Sequence, residues 1–196
     1  MYSEVVQGVA YEVEFPFEPY PEQRHYIAKV IQAINEGKNA LLESPTGTGK
    51  TLCLLCGSLA WRQNQLQRKL EEGVEQKNIH LPKIIYSSRT HSQLAQVVRE
   101  LKASSYRPRM TILGSRQQMC VDAEVSMLTG TEQNMACRAK TKARACTHFN
   151  ETEKFYNTNS RIGIDEPVDI EDLRNLQKDM GSCAPCPYYL TKQMAK

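Results

Sequence analysis

Ser44-Pro45-Thr46-Gly47-Thr48-Gly49-Lys50-Thr51 is the stretch whose residue types and spacing support the most definite chemistry. Gly47 and Gly49 let the backbone curl so that its N–H groups face inward around phosphate oxygens. Lys50 can then reach the β- and γ-phosphates of a nucleotide, and the Thr51 hydroxyl can ligate Mg²⁺. The generic phosphate-loop pattern has glycine where this chain has Ser44, so the strict pattern is not met. Serine is small enough to take that place.

The second set is the seven cysteines. Cys53 and Cys56 lie in Leu52-Cys53-Leu54-Leu55-Cys56, an apolar helical stretch in which a free thiol packs as a small hydrophobe. Cys120, Cys137, Cys146, Cys183 and Cys186 have polar neighbours and are candidates for metal ligation. Paired C-x-x-C knuckles would indicate a zinc ribbon, but only Cys183 and Cys186 are so spaced. Spacing alone leaves an iron–sulfur cluster, a zinc ion and free structural thiols all open. Either metal would cross-link loops that have little core of their own, offsetting their ordering entropy.

A phosphate loop has to be positioned by a strand before it and a helix after it. Residues 39–43 read as a short buried strand, and the helix follows over residues 49–63. Ahead of them, Ile27, Val30, Ile31 and Ile34 repeat at helical spacing between Glu22 and Gly37. Residues 1–20 read as irregular, and 63–81 as a frayed helix end and a surface loop. Residues 83–88 and 110–113 read as further strands, separated by a helix with Leu94, Val97, Val98 and Leu101 on its buried side. This alternation predicts an α/β fold, a partial parallel sheet of the phosphate-loop (RecA-like) type covered by helices. Beyond Ser115 strand signals fade and cysteines cluster, with residues 131–160 helical or looped and a short helix over 169–178. The expected divisions are 1–115 for the nucleotide-binding part, 116–190 for a mainly helical metal module, and 191–196 for the start of a following segment.

Net charge is +3, which permits contact with nucleic acid without arguing for it. No apolar run approaches the roughly 20 residues needed to span a membrane, so no membrane role is expected. Residues 1–17 alternate acidic and apolar side chains and lack the basic start of a secretory signal, which points to a reducing compartment.

Taken together, these residues resemble the XPD-like branch of superfamily 2 DNA helicases, the iron–sulfur helicases that include the DinG and Fanconi anaemia J types. The resemblance runs from Phe15-Pro16-Phe17 to Cys186-Pro187-Tyr188-Tyr189-Leu190. It rests on the phosphate-loop block, on Ile84-Ile85-Tyr86-Ser87-Ser88-Arg89-Thr90-His91-Ser92-Gln93-Leu94, on Ser105-Tyr106-Arg107-Pro108 with Leu113-Gly114-Ser115-Arg116, and on the cysteine series. In that family serine in place of the first loop glycine is usual. The resemblance implies ATP with Mg²⁺ at residues 44–51, and adenine contact by Phe17, Tyr20 and Gln23. It implies a [4Fe–4S] cluster on Cys120, Cys137, Cys146 and Cys186, with Cys183 outside the pattern. It also implies that Arg89, Thr90, His91 and Gln93 lie along single-stranded DNA. The basic run Arg138, Lys140, Lys142 and Arg144 is a further candidate for single-strand contact near a fork.

By that resemblance the expected function is ATP-dependent unwinding of forked DNA, 5′ to 3′, in DNA repair and genome maintenance, telomeres included, in the nucleus. The family's Asp-Glu-Ala-His motif and second motor domain do not occur among these residues, and Asp165-Glu166 sits before Pro167 in a polar stretch. Phosphoryl transfer needs several such groups at once, so little turnover is expected from this chain alone. The other readings are a non-catalytic DNA-binding module and a phosphate-loop nucleotide-binding protein with a zinc domain.

Overall fold

The structure, a computed structural model, describes residues 1–158 and 167–196. Asp165 and Glu166 lie outside the described residues. The chain divides into two compact units, Met1–Tyr106 and Arg107–Lys196.

The first unit opens with a hairpin, β1 (Tyr2–Val6) against β2 (Val9–Val13), antiparallel and in register from Tyr2 opposite Val13 to Val6 opposite Val9. Gln7 and Gly8 turn it, with φ of 52° and 79°. Two successive left-handed residues match the right-handed twist of the flanking strands. Residues 1–20 were expected to be irregular; their alternation of polar and apolar side chains is in fact this hairpin.

Helices α1 (Pro21–Asn35), α2 (Lys50–Glu71) and α3 (His91–Ala103) follow. Ile27, Val30 and Ile31 of α1 are buried with Leu52, Cys53, Cys56, Leu59 and Ala60 of α2 and Val97, Val98 and Leu101 of α3. Full burial of a side chain of the Val, Leu or Ile kind contributes about 1.5–3 kcal/mol. Asn35 fastens the hairpin to both long helices: its Nδ2 donates to the Tyr11 hydroxyl at 2.9 Å and its Oδ1 accepts from Trp61 Nε1 at 2.9 Å. Helix α2 continues past the expected end at residue 63, because residues 63–71 are almost all strong helix formers.

The second unit is helical: α4 (Arg116–Met119), α5 (Gly130–Lys142), α6 (Thr147–Thr158), α7 (Ile170–Met180) and α8 (Pro187–Met194). Among the described residues two small cores hold it. Met119, Cys186 and Tyr188 form one, and Phe155, Leu173 and Leu190 the other.

The parallel sheet expected from the sequence is not formed among the described residues, where the hairpin is the one hydrogen-bonded sheet. Residues 39–43, 83–88 and 110–113 carry no ladder assignment. Leu41 is 98% exposed and Ile85 88%, whereas Ile112 is buried. An apolar run reports a tendency to be buried; a strand exists only where a neighbour pairs its N–H and C=O groups. No helix among the described residues is long and apolar enough to cross a membrane.

Candidate nucleotide loop and cysteine cavity

Residues 44–51 lead directly into α2, whose N-cap is Gly49 at φ 77°, with Gly47 at φ 87°. Lys50 Nζ bonds the carbonyl oxygens of Ser44 at 2.6 Å and Pro45 at 2.8 Å, so the ammonium spans the base of the loop. The Thr48 hydroxyl donates to the Pro45 carbonyl at 2.8 Å. Its single proton is then used, so the 2.8 Å contact between Ser44 Oγ and Thr48 Oγ1 has serine as donor. Ser44 thus stitches the loop with a hydroxyl that glycine lacks. Thr51 occupies the first turn of α2 and is half-buried.

Of the residues implicated in adenine contact, Tyr20 and Phe17 are exposed, and Phe17 meets Phe15 edge-on at 4.9 Å. Gln23 is buried and faces inward. Its Oε1 accepts from the Tyr20 amide at 3.0 Å, and its Nε2 donates to the Thr48 carbonyl at 3.1 Å.

Arg89, Thr90, His91 and Gln93 gather at the start of α3, all exposed. Thr90 is the N-cap and accepts from the Gln93 amide at 3.4 Å. The threonine therefore has a local structural task, the capping of α3.

In the second unit Cys120, Cys137, Cys146 and Cys186 all line one cavity of about 310 Å³, its open mouth included, together with Asp122, Lys140, His148 and Tyr189. Cys183 is exposed and is not among the lining residues. Four different helices present the thiols: Cys120 follows α4, Cys137 is within α5, Cys146 precedes α6 and Cys186 caps α8. Burial pushes the Cys120 and Cys146 thiols up and the Cys186 thiol to about 12; backbone amides at the sulfurs of Cys146 and Cys186 act the other way. Those amides belong to Phe149 for Cys146 and to Tyr188 and Tyr189 for Cys186, so two thiols sit at helix N-termini that favour negative sulfur. Among the described residues no group of three or more His, Cys, Asp or Glu side chains is gathered for a single ion. Tetrahedral zinc would bring sulfurs to roughly 3.8 Å from one another.

Sequence reasoning did not supply the partners of the groups around the thiols. Arg116 donates from Nε to Cys137 Sγ at 3.3 Å and from Nη1 to Asn134 Oδ1 at 3.0 Å, and it lies 4.3 Å over the Tyr188 ring. His148 bonds the Ala184 carbonyl through Nδ1 at 2.8 Å, and the Cys186 amide donates to the His148 carbonyl at 2.9 Å. Lys140, read as part of a basic run, pairs with Asp122 at 3.0 Å and Glu124 at 2.7 Å. The signal for Lys140 was Asp122 and Glu124 close after a cysteine, but pairing across so many residues has no local periodicity. Arg138, Lys142 and Arg144 are exposed.

The sequence profile of the DEAD_2 family matches residues 86–196. Curated relatives match 97% of this chain. They include the regulator of telomere elongation helicase 1 homologs of Arabidopsis thaliana, 48% identical, and Oryza sativa subsp. japonica, 43% identical. The regulator of telomere elongation helicase 1 of Mus musculus is 39% identical over the same share. The chain spans about a fifth of the length of these relatives: 20%, 21% and 18% respectively. No solved structure matches the chain. With more than half its residues inside the profile, the cysteine cavity included, this chain belongs to the DEAD_2 family.

Proposed function

We propose that this chain is the N-terminal segment of an ATP-dependent, 5′-to-3′ DNA helicase of DNA repair and telomere maintenance, working in the nucleus. Residues 44–51 bind ATP with Mg²⁺, with Lys50 and Thr51 in the reacting positions. Arg89, Thr90, His91 and Gln93 lie along single-stranded DNA, and forked DNA is the substrate. Residues 1–115 belong to the nucleotide-binding domain, whose parallel sheet residues 39–43, 83–88 and 110–113 would enter. Residues 116–190 form the iron–sulfur module, and 191–196 begin the next segment.

The observation that carries the reading is the loop itself. Two left-handed glycines stand ahead of a long helix, and a lysine ammonium lies on the loop's own carbonyls, within reach of a phosphate. Relatives named as helicases over the same residues support it.

For the [4Fe–4S] cluster, the chemistry of the donor set supports the reading: four thiols from four helices line one cavity. Such a cluster would supply a rigid cross-link between the helices. The protein's part is to aim the thiols, to set the Phe149, Tyr188 and Tyr189 amides at the sulfurs, and to place Arg116 against Cys137.

By itself the chain turns over little ATP, because no Asp-Glu-Ala-His occurs in its sequence. The test is ATP binding and hydrolysis by the anaerobically purified chain, with and without single-stranded DNA, beside Lys50→Ala. Binding lost in Lys50→Ala, with turnover no higher than the control, is the expected result. DNA-stimulated turnover lost in Lys50→Ala would overturn the claim of inactivity, and wild-type chain that binds no nucleotide would sink the loop assignment.

A further inference from the structure

We infer that Gln23 is a positioning residue for the phosphate loop rather than a reader of the base. The inference rests on the nucleotide-binding reading above and refines how that site works.

A glutamine amide has one acceptor oxygen and one donor nitrogen. To read an adenine edge it must turn both toward the base, accepting from one ring position and donating to another. In Gln23 the two ends grip different segments of the protein. The oxygen takes the Tyr20 amide at 3.0 Å, closing the N-terminus of α1. The nitrogen gives a proton to the Thr48 carbonyl at 3.1 Å, inside the loop. Only this orientation satisfies both partners, since an N–H needs an oxygen and a carbonyl needs a donor. The residue is 6% exposed, which leaves no face for a base.

Gly49 gives independent geometric support. A Cβ built on Gly49 would lie 2.9 Å from Gln23 Nε2, closer than real Cβ contacts come. Glycine is therefore required at 49 twice, for the left-handed turn and for the approach of this amide.

A continuous chain of bonds follows. Helix α1 holds Gln23, Gln23 holds Thr48, and Thr48 holds Ser44 and Pro45, whose carbonyls hold Lys50. A loop fixed in this way needs less ordering when phosphate arrives, and so binds it more tightly. Base contact falls to Tyr20 and Phe17, 68% and 53% exposed, whose rings can stack on any base. The site therefore grips the triphosphate and discriminates weakly between bases.

The test is calorimetric titration of the 196-residue chain, wild type and Gln23→Met, with ATP, GTP and inorganic tripolyphosphate in Mg²⁺. Melting curves establish that both are folded at the titration temperature. All three ligands are expected to weaken by one common factor, about fivefold to tenfold, the size of one lost hydrogen bond. The ratio of ATP to tripolyphosphate affinity then stays at its wild-type value. A loss confined to ATP overturns the inference and makes Gln23 a base reader. Unchanged affinity for all three overturns it too, reducing Gln23 to a helix cap. Wild-type chain that binds none of the three sinks the nucleotide reading, and this inference with it. If Gln23→Met does not fold, Gln23→Glu keeps the acceptor for the Tyr20 amide and removes the donor to Thr48. It is read by the ratio of ATP to GTP affinity, which an added charge beside the loop leaves unchanged, both ligands carrying the same charge, and a lost base contact lowers.

Discussion

Arg116 Nε points its proton at the sulfur of Cys137 from 3.3 Å, while the same guanidinium lies over the Tyr188 ring. One side chain so joins α4, α5 and α8 at the rim of the cavity. Arg116→Met should cost about 2 kcal/mol in the second unit, from a hydrogen bond to a charged group and the cation–π contact. Urea unfolding followed by circular dichroism, with iron content measured in parallel, checks this. A midpoint equal to wild type would show that the contact contributes nothing.

The hydroxyl of Ser44 supports a second expectation. Ser44→Gly restores the generic loop pattern, yet removes the donor to Thr48. Nucleotide affinity should fall roughly threefold to tenfold, the range of a single neutral hydrogen bond. Lys50→Ala should fall much further. Tighter binding by Ser44→Gly would mean that the hydroxyl strains the loop instead of holding it.

Cys53 and Cys56 are buried in α2, and burial pushes their thiols up to about 11 and about 12. Native chain should leave both unalkylated at pH 8 while the exposed Cys183 reacts, as peptide mass spectrometry would report. A thiol whose folded pKa is raised stabilises the fold fully below its unfolded value of 9.0, and this contribution is lost as pH rises toward about 11. The first unit should therefore melt at lower temperature at pH 10 than at pH 8. Equal melting temperatures would argue against buried thiols.

Asn35 gives a prediction about the hairpin. Asn35→Ala removes the partners of both Tyr11 and Trp61 and should cost about 1 kcal/mol, since the site is partly exposed. Trp61 is the one tryptophan of the chain, so its fluorescence reports the transition directly. An unmoved unfolding curve would detach Asn35 from the docking of the hairpin.

The exposed apolar side chains of residues 39–43 and 83–88 carry a solubility consequence. Apolar side chains held in contact with water invite association between chains. Ile85→Lys should lower the concentration-dependent scattering of the purified chain. Scattering at the wild-type level would remove this segment from the cause.

These elements also show what could be read from residues alone. The stripe of Ile27, Val30 and Ile31 was legible because a helix buries its own period, whatever it packs against. Leu41 and Ile85 are exposed: apolar content says nothing about whether a pairing strand is present. Tyr2 to Val6 alternate as a strand does, but alternation over five residues does not by itself distinguish a hairpin from an irregular stretch. The polarity of residues 63–81 reads as a frayed helix end and a surface loop, whereas α2 runs on to Glu71, since Gln, Arg, Lys and Leu are all good helix formers. For the sites, the loop was legible as a contiguous block, and the four cysteines became a set only through resemblance. Their shared cavity is a tertiary fact, as are the partners of Arg116 and Lys140.

The order of the cysteines along the chain has a kinetic consequence. The first cysteine of the cavity is Cys120, after α4, and the fourth is Cys186, at α8. During synthesis α4, α5 and α6 leave the ribosome with three thiols presented and the fourth wall still to come. Closing the cavity therefore depends on a contact between residues far apart in sequence, with the loop entropy that such a contact costs. Until α8 docks, Met119 lacks Tyr188 and the thiols stay open to oxidants, so the docking of α8 is what shields them.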